Sequence, residues 1–132
     1  MTNLDMDGPY KLDASTVRQL VQGGLPGNFA VGHMDNGKRF AVQYVGRHDA
    51  DVLAGLMAAL RAGVGKPGLT DRLFGSKPKA NAFKFSYAAD QRAAFEKQCR
   101  NYHDFNGSGS LENPSHPPAP AGSGLSCPLC GA

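Results

Sequence analysis

No apolar run in this 132-residue chain approaches the ~18 residues that a membrane-spanning helix needs. Its opening, MTNLDMDGPY, lacks the basic-then-apolar order of a signal peptide. Both absences lead to the expectation of a cytoplasmic protein with no membrane partner. Cysteine is scarce: three residues cannot all pair with one another, and two of them stand together in CPLC at 127–130. A disulfide framework is thereby disfavoured, and a metal site in a reducing compartment is the better expectation.

What remains is the composition of a single domain. The length supports one modest core and not two. A hydrophobic share of 41% against 19% charged residues is that of a globular chain. It is diluted by 17 glycines and 9 prolines, which gather at the ends and in one internal loop. The net charge of +3 is small, but Arg61, Lys66, Arg72, Lys77, Lys79 and Lys84 face only Asp71 over that stretch. Such a local field attracts a polyanion, DNA or RNA, unless it is simply a solvated loop.

Residues 1–9 have the character of a flexible terminus. A short helix is expected after LDAST, with Asp13 or Ser15 as N-cap and Val17, Leu20 and Val21 at helical spacing. In the segment 27–46, GNFAVGHMDNGKRFAVQYVG, Asn36-Gly37 separates two alternating runs, the pattern of a hairpin with a two-residue turn. That turn would set Val31 opposite Val42 and Phe29 opposite Tyr44. It would also put Phe29, Val31, His33, Phe40, Val42 and Tyr44 on one face. Neither face is strongly polar, so both are expected to be at least partly covered.

After Gly46 the period becomes helical. Asp49 or Asp51 can cap a helix carrying Val52, Leu53, Leu56, Met57 and Leu60, which RAGVGKPG stops. A Gly/Pro/Lys-rich loop with one possible helical turn at LTDRLF follows, then a third strand, AFKFSY, and a helix in which Phe95, Cys99 and Tyr102 share a stripe. The expected fold is α+β: a mainly antiparallel three-stranded sheet flanked by helices over 10–105, with a Gly/Pro-rich extension over 106–132.

That extension is too poor in apolar residues to build a core of its own, yet it ends in CPLCG. A Cys-x-x-Cys turn closed by glycine points two thiolates at one ion, and zinc then takes two further ligands in a tetrahedron. Cys99 and His103, four apart on the last helix, share a face. With Cys127 and Cys130 they make a Cys3His set, and His116 is a spare fifth candidate. Zinc would clamp the extension onto the helix. Cys99 can equally be read as an ordinary buried thiol, and no βαβ unit supports a redox role for CPLC.

The order hairpin, helix, strand, helix, with a Gly-x-aromatic (Gly27-Asn28-Phe29) on the first hairpin strand and Tyr44-Val45-Gly46 on the second, resembles the GIY-YIG nuclease superfamily over roughly residues 27–113. The resemblance implies hydrolysis of a phosphodiester with Mg²⁺ or Mn²⁺ held by a glutamate. Tyr44 matches the second-motif tyrosine, Glu96 the metal-binding glutamate, and Asn113 a following asparagine. Two positions depart from the pattern: Phe29 replaces the first-motif tyrosine, and the first helix has Gly55 near the place of an arginine. Arg47 and His48 could substitute as phosphate clamp and base. The implied functions are therefore a nucleic-acid-binding endonuclease, an inactive binding relative, or a zinc-stabilised protein-interaction module. Against these, Tyr44 can be a plain strand aromatic, and Glu96 can serve only in helical ion pairs with Arg92 or Arg100.

Overall fold

The computed structural model describes residues 4–36, 38–64, 79–106, 111–113 and 115–131. Among them run β1 (Asp7–Lys11), α1 (Ala14–Leu20), β2 (Gly27–Met34), β3 (Phe40–His48), α2 (Val52–Ala62), β4 (Ala82–Tyr87) and α3 (Gln91–Phe105). The sheet has four antiparallel strands in the order β1-β4-β2-β3, not the three expected. The additional one is β1, part of which falls in the segment read as a flexible terminus. It lies on the outer side of β4, and Leu4 just before it is buried. None of the described helices is long and apolar enough to cross a membrane. The possible turn at LTDRLF lies outside the described residues.

Both faces of the sheet are covered. On one, Phe29, Val31, Phe83 and Phe85 pack against Val17 and Val21 at α1 and against Val52, Leu56 and Ala59 of α2. On the other, Ala30, Val42 and Val45 pack with Leu4 and with Tyr102 and Phe105 of α3. The helices start where carboxylates cap them. Asp13 accepts from the Thr16 N–H, Asp51 from Ala54 and Asp90 from Ala93, each satisfying a donor with no partner inside its helix. The Thr16 bond holds the Asp13 carboxyl below its ordinary pKa, and a bond from the Gly24 N–H, with that from Ala54, does the same for Asp51. Gly63, at φ 74°, ends α2 in the left-handed conformation that glycine adopts without strain.

The hairpin register differs from the expected one. Lys38 has a positive φ, 62°. Lys38 N–H donates to Asp35 O, and Asp35 N–H to Arg39 O, each at 3.0 Å. The Asp35 side chain accepts from Arg39 N–H at 3.0 Å. The loop is thus one residue longer than a two-residue turn, and Met34 faces Phe40. A second shift follows: Gly32 pairs with Val42 while Val31 pairs with Tyr44, leaving Gln43 as the extra residue of a bulge. Phe29 therefore lies opposite Gly46, not Tyr44, and Val42 moves to the α3 face. Phe29 and Tyr44 still share the α2 face, with ring centroids 6.2 Å apart.

Candidate functional site

The end of β3 and the side of α3 enclose a cleft of about 350 Å³ lined by Phe29, Tyr44, Arg47, His48, Asp49 and Gln98 among others. Its geometry is set by Arg47, whose side chain is only 10% exposed. Arg47 Nε donates to Asp49 Oδ1 at 2.8 Å and Nη1 to Gln98 Oε1 at 2.6 Å. The guanidinium carbon lies 5.1 Å from the centre of the Phe95 ring. Arg47 thus ties β3 to α3, and its charge is already offset by Asp49. That leaves little of the independent phosphate clamp expected of it.

His48 does not fit the role of a base. Its Nδ1 accepts from the Ala50 and Asp51 N–H groups at 3.1 and 2.8 Å. The neutral ring therefore carries its proton on Nε2, and its basic nitrogen is occupied in the turn that leads into α2.

Glu96 does not line the cleft. It pairs with Arg92 at 3.1 Å on the outside of α3. The buried stripe of α3 is Ala94, Phe95, Gln98, Cys99 and Asn101. Two residues apart on a helix means about 200° around its axis, so a helix that turns position 98 to the cleft turns position 96 away. Gln98, a polar residue on an apolar stripe, was the signal that sequence reading missed. Magnesium and manganese take oxygen donors, carboxylates above all. The α3 residue at this cleft is an amide, and Asp49 is bound to Arg47. The described residues of the cleft do not fit a catalytic Mg²⁺ or Mn²⁺ site.

A second constellation lies beyond the cleft, where the extension returns to α3. His103, His116, Cys127 and Cys130 each offer a ligand atom, all within 4.8 Å of one another. His103 Nε2 is 3.5 Å from Cys127 Sγ, and His116 Nε2 is 3.5 Å from Cys130 Sγ. A tetrahedral zinc with bonds of ~2.0–2.3 Å separates its ligand atoms by roughly 3.3–3.8 Å, so this donor set fits zinc. His116 Nδ1 donates to the Pro117 carbonyl at 2.8 Å, which leaves Nε2 as the coordinating nitrogen. Burial acts to raise the Cys127 thiol. The N–H groups of Leu129 and Cys130, with the His116 and Cys130 side chains, outweigh it and bring the pKa down to about 5.

Cys99, expected among the ligands, stands outside this group. It is fully buried with Phe95 and Cys127, and burial pushes its thiol up to about 12. Its sulfur is not among the converging ligand atoms, so Cys99 is a core residue and His116 takes its place.

Between α3 and this cluster the extension runs along the outer strand. Asn113 Oδ1 accepts from Val45 N–H at 2.9 Å and its Nδ2 donates to Val45 O at 2.8 Å. Glu112 N–H donates to Gln43 O. Of the basic set, Arg61 is exposed in the last turn of α2. Lys79 is exposed beside His33, which meets its carbonyl through Nδ1 at 2.9 Å. Lys84 reaches the Phe40 ring at 5.5 Å. Lys66, Arg72 and Lys77 lie outside the described residues. No family model, curated protein or solved structure matches the chain.

Proposed function

We propose that this protein is a zinc-clamped, GIY-YIG-like module that binds nucleic acid without cleaving it. The observation that carries this reading is Gln98. The cleft beside Tyr44 keeps its aromatic and guanidinium groups, while the helix residue facing it is a neutral amide where metal-assisted hydrolysis needs a carboxylate. The described residues of the cleft hold no uncompensated negative charge to repel a polyanion. The cation excess of 61–84 supplies the long-range attraction, and zinc on His103, His116, Cys127 and Cys130 is structural, closing the extension onto α3.

Anisotropy with a labelled oligonucleotide should show binding that weakens ten-fold or more between about 50 and 200 mM salt, as several neutralised phosphates require. Charge reversal at Lys77 and Lys79 should weaken it further. Plasmid and RNA should remain intact with Mg²⁺ or Mn²⁺, and Glu96→Ala should alter neither binding nor integrity. Metal-dependent nicking that Glu96→Ala abolishes would restore the enzyme reading. Absence of binding at low salt would leave a protein-interaction module.

A further inference from the structure

Tyr44 and Arg47 border a second cavity as well. It measures about 320 Å³ and lies on the α2 side. Phe29, Tyr44, Arg47 and His48 line both, so the two adjoin. The groove on the α2 side reaches Val64, just past α2. Its size is at the small end of the ~300–1,000 Å³ typical of ligand sites.

The walls are unlike those of a phosphate site. Arg47 is paired with Asp49 at 2.8 Å, so the groove holds little net charge. One wall is aromatic, with the Phe29 and Tyr44 rings inclined at only 28°. The facing wall comes from Gly55, Ala58, Ala59 and Ala62 of α2, with no side chain longer than a methyl. Phe29 is buried and packs on α2 at Gly55, so the ring surface open to the groove is that of Tyr44, beside the methyl groups of Ala58 and Ala62. At the edge of the groove His48, with Nδ1 occupied by two backbone N–H groups, presents Nε2–H as a donor, and Tyr44 adds a hydroxyl.

We propose that this groove takes one unpaired nucleobase, stacked on Tyr44 with its acceptor edge toward His48. The protein would then select single-stranded nucleic acid. The inference rests on the nucleic-acid reading above and specifies which part of the polymer enters the site. A charge-balanced aromatic groove suits the base, and the flanking phosphates remain outside it. In single-strand binders such base–aromatic stacking is tolerant of sequence.

The test compares a single strand with a blunt duplex of the same sequence by anisotropy, and follows 2-aminopurine emission in the single strand. The single strand should bind at least ten-fold more tightly, with its 2-aminopurine quenched. Tyr44→Phe should keep both effects. Tyr44→Leu should lose about ten-fold in single-strand affinity, the order of one stacked base. Ala58→Leu or Ala62→Leu, at exposed positions of α2, should fill the groove and abolish the preference with Tm unchanged. Equal affinity for strand and duplex, unquenched emission and indifference to both alanine replacements would overturn the proposal while leaving nucleic-acid binding intact. Binding of neither form would defeat both.

Discussion

Cys127→Ser is expected to release the zinc, about one ion per chain in a closed four-ligand site, and to detach the extension from α3. His116→Ala should do the same, whereas Cys99→Ala should keep the metal, because Cys99 lies outside the converging group. The structural loss on demetallation should exceed the ~1 kcal/mol of an ordinary point substitution, since one ligand holds a whole segment in place. Ala119 and Leu125 leave their contacts with the Phe95–Cys99–Cys127 cluster. Glu112 and Asn113 are freed from β3. Metal analysis gives the stoichiometry, and amide exchange gives the structural effect, with the Val45 N–H as reporter because Asn113 Oδ1 shields it. Zinc lost from Cys99→Ala but retained in His116→Ala would contradict the ligand set. Protein purified without zinc would remove the site altogether.

Gly46→Ala is expected to destabilise the fold by about 1–3 kcal/mol or more, the range of an overpacked core. A Cβ at Gly46 would stand 2.3 Å from Phe29 Cζ and 2.8 Å from both Cε atoms. The ring cannot simply withdraw. Phe29 is 3% exposed, and on the α2 side a Cβ at Gly55 would already meet its Cε1 at 3.2 Å. Glycine is needed here for space and not for a left-handed backbone. Denaturant unfolding of Gly46→Ala, Phe29→Ala and the double variant should show coupling: Phe29→Ala alone costs ~3–5 kcal/mol, and less once Gly46 carries a methyl. A Gly46→Ala change within ~0.5 kcal/mol would mean that the strands shift to accommodate it. The Tyr-Val-Gly stretch thus combines a groove residue with a packing residue, and the glycine belongs to the core.

Much of this fold can be read from local patterns. The alternation of β2 and β4, the helical stripes of α2 and α3, and the capping aspartates Asp13 and Asp51 all depend on residues close in sequence. What escapes is non-local. DGPYK has no alternation to mark it as a strand, and β1 exists because β4 offers it an edge. Asn36-Gly37 announces a hairpin, but the loop length depends on Lys38 accepting a positive φ and on the Asp35 side chain bonding the Arg39 N–H. The Gln43 bulge leaves no periodic trace. In the metal group, spacing shows that Cys99 and His103 share a helix face without showing which of them the core claims. Cys99 follows Phe95 inward, and the vacancy is filled from His116, beyond a segment whose course no helical count predicts. Glu96 and Gln98 differ by two positions, and the choice between them turns on where the sheet lies.

The contact of Asn113 with Val45 has a consequence for solubility. An outermost strand is where a second chain can add and start self-association. At β1 that edge carries Pro9, which has no N–H to offer. At β3 the protection is borrowed, since one asparagine amide occupies both backbone groups of Val45 and the Glu112 N–H covers Gln43 O. It lasts only while the extension is held. Zinc supply would then set the oligomeric behaviour of the protein as much as its stability. Cells short of zinc during synthesis are expected to accumulate it as strand-paired oligomers or inclusion bodies, and a zinc-depleted sample should shift to larger species before it loses helix content.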